Sequence, residues 1–438
     1  MRNLKRFLFV LFVVLSVGHL VSAQGSMRLN KNKQKINFKL VNNLIVIPVE
    51  INGKSLSFIL DTGASKTILF GVTKIDSLTL LNQTKVKLHG IGSGAAIEGV
   101  LSKNNRINCK GVLGFNQSIY IIPEGNFDMA SKMGRTIHGV IGYEFFKNFV
   151  VSIDYRRKYI TLYEPQDFNA PRSKKYKVFD MPLIQQKPYL LTESTLLDNS
   201  HHKTRLLIDS GNSDALWLFH NKETGLEVKG KFFEDYLGES LSGSIKGKRT
   251  KLKTFSIGDF IFKEPTVAFL DSTATLNAGS KKYRHGSIGS LILQRFNTIF
   301  DYPNKKLYLK KTKSFNKDFR FNRAGIELAY AGKTIVKTEK IHSKSYSEQE
   351  ASITFELVSK YKLEPLYIIQ RIRQGSVAEK AGLRKNDILQ SINGKQAYDY
   401  NYNNMIGLFY GDVGSHISIK VLRNGLEHQF YFTLKKLL

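Results

Sequence analysis

The chain contains very little cysteine. Cys109 is the only one in 438 residues, so no intramolecular disulfide can form and the fold must be stabilised by packing. A catalytic thiol is one interpretation of this residue, but the surrounding sequence RINCKGV is more typical of a half-buried strand. We therefore expect a structural role for the thiol.

Long apolar runs are also scarce. The one present, LFVLFVVLSVG, follows three basic residues near the N-terminus and precedes the small residues Val21-Ser22-Ala23. This order predicts a signal peptide over residues 1–23; a membrane anchor is the alternative, but the apolar core is short for a span. No cysteine follows at the cleavage point to carry a lipid. No second long apolar run follows either, so we expect an exported protein, periplasmic or secreted, that is soluble once the signal is removed.

Acidic residues are few beside basic ones. The chain has 36 Asp and Glu against 66 Lys and Arg, a net charge of +30, and removal of the predicted signal with its three basic residues leaves +27. Basic clusters at residues 172–177, 246–253 and 281–284 could meet nucleic acid or an acidic surface. Because they are scattered among predicted hairpins without a nucleic-acid module, a solvated basic face is favoured and no nucleic-acid partner is expected.

The signatures of other hydrolases and of cofactor enzymes are missing as well. We find no Ser-His-Asp nucleophile elbow and no metal-binding pattern, and the glycines of residues 90–94 miss the spacing of a nucleotide loop. His201 and His202 are adjacent, but with no third ligand nearby they are expected to be solvated on a loop. The sequence therefore predicts neither a cofactor nor a metal.

One stretch does occur twice. FILDTGASKTIL, from residue 58, and LLIDSGNSDALWL, from residue 206, each run from apolar residues into an aspartate, a hydroxyl residue and a glycine, then a serine two positions on. The apolar residues before Asp61 and Asp209 predict strands buried on both faces. Each aspartate should therefore stand at the end of a rigid core element.

The residues around each aspartate suit a buried carboxylate. Gly63 and Gly211 allow a tight turn with close backbone approach. If the two strands meet, the carboxylates face each other, and because both cannot ionise cheaply one keeps a proton near neutral pH. Such a pair can take a proton from water and donate one to a carbonyl oxygen. The hydroxyls available as partners are Thr62, Ser65, Ser210 and Ser213.

A single Asp-Thr-Gly would more simply be a turn cap, but a second pair of segments argues for a repeat. GVIGYEFFKNFVVSIDYRRKYITLY, from Gly139, aligns without a gap with GSIGSLILQRFNTIFDYPNKKLYLK, from Gly286. These segments lie 147 positions apart and the two aspartates 148 apart, which indicates an internal duplication. The shared residues are Gly139/Gly286, Ile141/Ile288, Gly142/Gly289, Phe149/Phe296, Asp154/Asp301, Tyr155/Tyr302, Lys158/Lys305 and Leu162/Leu309.

The paired motifs, each followed by an apolar-Gly segment, resemble those of a two-lobed, pepsin-like or retropepsin-like aspartic protease. The motifs cover residues from about 40 to 312. The resemblance implies a mostly β, pseudo-two-fold bilobal fold, with an N-terminal lobe at residues 24–170 and a C-terminal lobe at residues 171–312. Because both halves belong to one chain, a monomer suffices to form the site.

The resemblance also implies roles for the motif residues. Asp61 and Asp209 would be the catalytic dyad. Thr62 and Ser210 would make hydroxyl bonds between the lobes below it. The glycines and the serines, Gly63, Ser65, Gly211 and Ser213, would support the site.

One position in each motif departs from the family pattern. Three residues after each aspartate, where pepsin-like enzymes commonly carry a hydroxyl, this chain has Ala64 and Asn212. Loss of a hydrogen bond to the charged form raises the pKa of a carboxylate. We therefore expect activity at mild acidity or neutrality rather than a strongly acidic optimum.

Hairpin patterns surround both aspartates. IVIPVEI, Asn52-Gly53 and KSLSFIL predict the hairpin that delivers Asp61, and YLLTESTLL with KTRLLI predicts the one that delivers Asp209. VKLHGIGSGAAIEGVL predicts a glycine-tipped hairpin, which by the resemblance is a flap that holds an extended substrate; YLGESLSGSIKGKRTKLKTFSIGDFIF stands in the matching place of the second half. The flap residues are Gly90, Ile91, Gly92, Ser93 and Gly94.

The duplication ends near Lys311, where TKSFNKD predicts a linker. Beyond it, GSVAEKAGLRKNDILQSINGK predicts a short helix, a strand and an Asn393-Gly394 turn. Its Ala-Gly-Leu, Asp-Ile-Leu and Ile-Asn-Gly elements resemble a PDZ domain of the bacterial protease-associated kind, covering residues 313–438.

A PDZ domain would supply a second peptide site. Exposed amides of its carboxylate-binding loop and strand could bind the C-terminal end of a peptide, with a helix near Met405 as the other wall. The segment from Lys333 to Leu363 is longer than a compact PDZ domain needs. The predicted groove residues are Gly325, Ile326, Glu327 and Leu328.

Three functions follow from these patterns. The favoured one is an exported aspartic endopeptidase that cleaves protein or peptide substrates with water activated between Asp61 and Asp209, assisted by a PDZ domain that recognises substrates or partners. The alternatives are a non-catalytic peptide-binding protein that keeps both folds and a basic protein that binds nucleic acid or a surface polymer. Two opposed carboxylates favour the enzyme, because a pure binder has no need of them.

Overall fold

The structure, a computed structural model, describes residues 25–70, 78–88, 97–122, 136–240, 243–271, 283–346 and 352–438. For residues 239–240, 338–346 and 352–358 it describes the backbone alone. The predicted signal peptide and the predicted flap residues, 90–94, lie outside the described residues, so these predictions remain untested.

Strands make up most of the described first half. Nine of its strands form one sheet in the order β1-β9-β6-β10-β5-β4-β8-β7, with β3 paired to β4. The strands are β1 Ser26–Leu29, β2 Lys33–Asn37, β3 Lys39–Val41, β4 Leu44–Ile51, β5 Lys54–Leu60, β6 Thr67–Phe70, β7 Gln83–Leu88, β8 Ile97–Cys109, β9 Val112–Ile122, β10 Gly139–Ile141, β11 Val150–Asp154 and β12 Tyr159–Tyr163, with helix α1 at Tyr143–Phe146 and a 3-10 turn at Pro165–Asp167.

The second half repeats this arrangement. Ten of its described strands form a sheet in the order β18-β19-β22-β17-β23-β16-β15-β20-β21, with β14 paired to β15. The strands are β13 Lys177–Asp180, β14 Leu183–Ile184, β15 Lys187–Thr195, β16 His201–Ile208, β17 Leu216–Phe219, β18 Phe233–Ser240, β19 Gly243–Lys251, β20 Thr254–Ile257, β21 Phe260–Lys263, β22 Thr266–Leu270, β23 Gly286–Ile288, β24 Phe296–Asp301 and β25 Lys306–Lys311, with helix α2 at Ser290–Leu293.

Matching strands have matching partners in the two halves. β5 pairs in parallel with β10, as β16 does with β23, and each pairing ends at the residue before an aspartate. β6 pairs in parallel with β9 and antiparallel with β10; β17 pairs in the same way with β22 and β23. The repeat seen in the sequence is therefore a repeat of topology.

A third sheet joins the halves. Its described strands run in the order β13-β25-β24-β11-β12-β2, so three come from each half. The central pair, β11 and β24, is antiparallel, with Val151 opposite Phe300. Aromatic rings fill the junction: Phe146 stacks on Tyr302 at a centroid distance of 5.1 Å and meets Phe300 edge-on at 5.7 Å. Such ring pairs stabilise a fold by about 0.5–1.5 kcal/mol each beyond their buried area.

The predicted linker is fixed to the second half. Phe315 and Phe319 are both buried there. The guanidinium of Arg295, itself buried, donates to the carbonyl oxygens of Phe315 at 2.7 Å and Lys317 at 2.5 Å, and lies 3.6 Å from the centroid of the Phe319 ring. Through these contacts, a segment whose sequence is mostly polar packs against the edge of the hydrophobic core.

The C-terminal region has its own sheet and core. Its described strands run in the order β26-β27-β28-β30-β31, with β29 paired to β28, and the excess length noted in the sequence belongs to the long hairpin of β26 and β27. The side chains of Ile369, Ile392 and Ile419 are fully buried. The elements are β26 Ile326–Tyr346, β27 Ser352–Ile372, α3 Val377–Lys380, β28 Ile388–Ile392, β29 Lys395–Gln396, a 3-10 turn at Ala397–Asp399, α4 Tyr402–Leu408, β30 His416–Arg423 and β31 Leu426–Thr433.

Two sequence expectations change in detail. Cys109 is fully buried rather than half-buried: its thiol donates to the carbonyl oxygen of Pro48 at 3.0 Å, and burial raises its pKa to about 12. His201 and His202 begin β16 instead of lying on a loop, because they pair across to the end of β15. None of the described helices combines the length and the hydropathy that crossing a bilayer requires.

Candidate active site

Two strands bring their C-terminal ends together, and each is followed by an aspartate. β5 and β16 are fully buried where they end, because both faces of these apolar runs are covered. The amide of Asp61 donates to Ile141 O at 2.9 Å, and the amide of Asp209 donates to Ile288 O at 2.9 Å. Equivalent bonds thus hold the two aspartates in equivalent places.

Hydroxyl groups cross between the halves directly beside the aspartates. Thr62 donates its hydroxyl to Ile208 O at 2.7 Å, and Ser210 donates to Leu60 O at 2.9 Å. Each hydroxyl also accepts the backbone amide of the other residue at 3.0 Å. Both side chains are fully buried, so these four bonds satisfy groups that water cannot reach. We name Thr62 and Ser210 with these bonds the hydroxyl bridge.

Backbone amides bring the carboxylates within reach of one another. The amide of Gly63 donates to Asp61 Oδ1 at 2.7 Å. The amide of Gly211 reaches Oδ1 of both aspartates, Asp209 at 3.1 Å and Asp61 at 3.2 Å. A Cβ atom at Gly63 would lie 2.8 Å from Asp209 Oδ1, and one at Gly211 would overlap the Asp61 carboxyl group. Only glycine allows this approach at either position.

The pair is electrostatically asymmetric. Burial, followed by the charge of Asp209, raises the pKa of Asp61 to about 8. Burial also raises the pKa of Asp209, but the charges of Arg284 and Lys187 and a hydrogen bond from Asp61 oppose that rise. Burial and the charge of Asp209 thus favour the protonated form of Asp61, whereas Arg284 and Lys187 favour the ionised form of Asp209, and the two carboxylates titrate as one coupled pair.

The remaining motif residues lie around the turns without joining the carboxylates. Ser65 and Ser213 are half-buried, and within the described ranges neither hydroxyl bonds to Asp61 or Asp209. The side-chain amide of Asn212 donates to Ser287 Oγ at 3.2 Å instead of to a carboxylate. Among the described residues, no side chain thus replaces the hydroxyl that the family carries at the positions of Ala64 and Asn212. The backbone amides of the two glycines donate to the carboxylates.

Sequence reasoning missed a pair of histidines. His138 precedes Gly139 and His285 precedes Gly286, so the alignment that began at the glycines extends one residue further back. Nδ1 of His138 accepts the amide of Ser57 at 3.0 Å, and Nδ1 of His285 accepts the amide of Arg205 at 3.0 Å. These equivalent bonds tie the glycine segments to the strands that carry the aspartates.

Comparison with known families agrees with this geometry. Residues 47–145 match the aspartyl protease family, and residues 368–423 match the PDZ domain family. The chain carries an aspartyl protease domain and a PDZ domain. Both resemblances predicted from the sequence, and the mostly β fold class, are confirmed.

Comparison with whole proteins adds little detail. The crystal structure of the aspartic proteinase from Irpex lacteus matches over 65% of this chain and 99% of that chain, at 14% sequence identity and a TM-score of 0.41. No curated protein matches the chain.

The groove predicted in the PDZ domain already has its backbone acceptors engaged. Of the predicted residues, Gly325 precedes β26 and Ile326–Leu328 begin it; β26 is an edge strand beside α4. Asn322 donates its side-chain amide to Ile326 O at 2.8 Å, and the hydroxyl of Tyr402 donates to Leu328 O at 3.0 Å. A peptide that adds to this edge must displace these two bonds.

Other predicted groove residues serve the domain itself. Gly325 is buried with φ +75°, and a Cβ atom there would lie 2.5 Å from Ser376 Cβ. A carboxylate oxygen of Glu327 lies 3.9 Å from Nε of Arg371 on the neighbouring strand. Met405 is fully buried in the PDZ core, so α4 presents other residues to the groove.

The PDZ domain touches the protease domain at a turn that leads to Asp209. Asn403 of α4 donates to Leu40 O and accepts the amide of Asn42 at 2.9 Å. The next residue, Asn43, donates its side-chain amide to Ser213 O at 3.1 Å. Asn42 and Asn43 both have left-handed backbone conformations, with φ 45° and 66°, which asparagine adopts more readily than most residues. The β3–β4 turn thus links α4 to the turn that follows Asp209.

A chain of ion pairs reaches the same turn from another side. Arg373 of the PDZ domain lies 3.8 Å from an Asp235 carboxylate oxygen, and Arg249 lies 2.7 Å from that same oxygen. Arg249 also pairs with Asp214 at 3.0 Å, and Asp214 accepts the indole NH of Trp217 at 2.7 Å. These two contacts of the PDZ domain therefore end at Ser213 and at its neighbour Asp214, in the turn that follows Asp209.

Proposed function

We propose that this chain is an exported aspartic endopeptidase whose PDZ domain recognises protein substrates or partners. The observation that carries the proposal is the pair of half-buried aspartates joined to a single backbone amide, that of Gly211. A carboxylate that merely caps a turn would not need a second carboxylate brought to the same donor, at the cost of raising the pKa of both.

The charge distribution suits an acid and a base in one site. Asp209, ionised, removes a proton from a water molecule between the carboxylates, while Asp61, protonated, donates a hydrogen bond to the scissile carbonyl oxygen. The water oxygen bonds to the carbonyl carbon as Asp61 gives its proton to the carbonyl oxygen, which forms a tetrahedral diol. The C–N bond then breaks as Asp209 passes the proton taken from water to the nitrogen, while Asp61 takes a proton back from a diol hydroxyl. One carboxyl and one amine product leave, and the pair returns to its starting protonation state.

The hydroxyl bridge holds this acid and base in position. It fixes the backbone on both sides of the dyad without occupying the carboxylate oxygens, so those oxygens remain available to water and substrate. Preorganisation of this kind removes reorganisation from the chemical step.

Cleavage of a diverse peptide mixture between about pH 4 and pH 8 tests the proposal. The purified protein should cut peptides, and Asp61→Asn should not, because the variant cannot supply the proton that polarises the carbonyl. Asp259→Asn is the matched control: it makes the same change at an aspartate whose side chain is 80% exposed, and it should cut normally.

The possible outcomes separate the functions. Cuts that persist in Asp61→Asn would refute the dyad. A folded wild-type protein that binds peptides without cutting any would favour the non-catalytic peptide binder. Thermal unfolding of each variant, measured beside the wild type, shows whether a loss of cutting reflects chemistry or loss of the fold.

A further inference from the structure

The duplication supplies an internal reference for the two sides of the dyad. In the first half, four buried apolar residues belong to one cluster that packs against Ala64 of the first catalytic turn. Leu88 and Ile97, the described residues on either side of the predicted flap, pack against the same cluster. The surroundings of the turn after Asp61 are therefore apolar, and Tyr402 of the PDZ domain packs against the same cluster. The four residues are Leu44, Val46, Phe70 and Ile137.

Strand register identifies the matching residues in the second half. Val46 lies opposite the residue two before Asp61, and Tyr189 lies opposite the residue two before Asp209. Leu44 and Lys187 each follow the two-residue turn of a hairpin. The backbone amides of Phe70 and Phe219 bond to the carbonyl oxygens of the paired histidines, so Phe70 matches Phe219. Ile137 and Arg284 each stand one residue before a paired histidine, so Ile137 matches Arg284.

Two apolar residues of the first half are thus replaced by cations in the second. Arg284 is only 3% exposed, although no carboxylate among the described residues forms a salt bridge with it. Its Nε donates to Gly286 O at 3.0 Å and its guanidinium lies 5.1 Å from the centroid of the Phe219 ring. Among the described residues, Nη2 of Arg284 is buried and has no hydrogen-bond partner. A buried guanidinium NH without an acceptor costs free energy that a ligand could recover.

Lys187 adds a second positive charge at the same place. Its side chain is half-buried, and burial, followed by the charge of Arg284, lowers its pKa. Both cations act on the carboxylate pair, and Arg284 acts most on Asp209. Because the pair shares a proton, it offers one negative charge to two cations. Among the described residues, the surroundings of Asp209 therefore hold two cationic side chains for the one negative charge of the pair.

We propose that Arg284 and Lys187 form a basic subsite beside Asp209 that binds a carboxylate of the substrate. The proposal rests on the proposed endopeptidase function and specifies its substrates: peptides with an apolar residue on one side of the scissile bond and an acidic group on the other. The acidic group is a Glu or Asp side chain, or the C-terminal carboxylate of the chain. Arginine suits either, since its planar NH groups match a carboxylate.

Paired peptides measure the preference. In a peptide that the protein cuts, the residue flanking the bond on the basic side is made Glu, Gln or Leu, which holds size nearly constant while removing charge. We expect kcat/KM for the Glu peptide to exceed that for the Gln peptide by about 10-fold or more, because the Gln amide oxygen can accept a hydrogen bond but forms no bidentate, charge-assisted pair with the guanidinium. Versions with a free or an amidated C-terminus show whether a chain end can replace the side chain.

Variants that copy the first half test the residues. Arg284→Ile and Lys187→Leu install the residues of the matching positions, Ile137 and Leu44, singly and together. The double variant should prefer the Leu peptide to the Glu peptide. Lys203→Gln removes an exposed positive charge from β16 outside the cleft and should leave the preference unchanged. Arg284→Lys retains a charge without the planar fork and should keep part of the preference for Glu.

An effect of Arg284 on the dyad alone would be detected by a different measurement, the pH dependence of kcat/KM. If Arg284 only tunes the dyad, Arg284→Ile will shift the pH dependence of kcat/KM and lower cleavage of all three peptides by the same factor. That result would overturn the subsite. A reversed preference among the peptides supports it, whatever the shift in pH dependence.

Binding separates this proposal from the proposed function. In Asp61→Asn, fluorescence anisotropy measures the Kd of the labelled Glu and Gln peptides without turnover. Tighter binding of the Glu peptide, lost in Asp61→Asn with Arg284→Ile, supports the subsite even if the wild type proves inactive. Equal binding of both peptides by a folded protein refutes the subsite, and leaves the endopeptidase function to the cleavage experiment.

Discussion

The two lobes repeat one topology but differ in what they place beside their aspartates. Both end a buried strand at an aspartate, and both bond it to a glycine segment anchored by a histidine. The first lobe packs apolar residues against Ala64 beside Asp61, whereas the second lobe contributes Arg284 and Lys187, which act on both carboxylates. The shared part builds the carboxylate pair. The different part suits Asp61 to the role of acid and Asp209 to that of base in the proposed reaction, since neighbouring cations favour the ionised form.

The largest effect should be equal in the two lobes. Asp61→Asn and Asp209→Asn should each lower kcat/KM by about 10⁴-fold, because neither the acid nor the base can act without the other. The double variant should be little worse than either single variant. Additive losses in a complete kinetic comparison would mean that the two residues act independently, and would break the equivalence of the lobes.

The hydroxyl bridge should also be equivalent from both sides. Thr62→Ala leaves Ile208 O and the amide of Ser210 unsatisfied, and Ser210→Ala does the same to Leu60 O and the amide of Thr62. Each should lower the free energy of unfolding by about 2–4 kcal/mol, measured by urea denaturation. Thr62→Ser keeps the hydroxyl and should cost less. A cost confined to one lobe would contradict the symmetric hydrogen bonding.

The acidic member of the pair should affect stability in a pH-dependent way. Burial and the charge of Asp209 raise the pKa of Asp61 above that of an unfolded aspartate, so its favourable contribution is complete at low pH and is lost as pH rises through about 8. Asp61→Asn has no such loss. Its Tm relative to wild type should therefore increase from pH 5 to pH 8. A difference that stays constant with pH would show that Asp61 is not the protonated member.

The smallest effect concerns the contact between the PDZ domain and the β3–β4 turn. Asn403→Ala removes bonds to Leu40 O and to the amide of Asn42, which should cost about 1 kcal/mol. Hydrogen exchange at the Asn42 amide should become faster, and kcat/KM should change by less than about 5-fold. Asn404→Ala, at an exposed neighbouring position, is the control. An unchanged hydrogen-exchange rate at the Asn42 amide would show that this contact does not link the PDZ domain to the second lobe.

Much of the site could be predicted because the duplication is written in the sequence. Asp61, Asp209 and their glycines follow from a repeat with nearly constant spacing, and the PDZ elements follow from short turns and a helix stop. The histidines could have been found by extending the alignment one residue. The unused hydroxyls of Ser65 and Ser213 could not have been excluded, because hydrogen bonding depends on side-chain direction as well as on spacing.

The sequence by itself determined that two aspartates end two similar strands and that a PDZ domain follows, because periodicity, turn residues and repetition are local properties of the chain. Only the tertiary structure decided how the surroundings of the two aspartates differ. Burial and the charges of Arg284 and Lys187 set that difference, and residues 187, 209 and 284 come together only through strand pairing. The engaged groove of the PDZ domain has the same origin: Tyr402 meets Leu328 across 74 positions of sequence, a contact that no local pattern encodes.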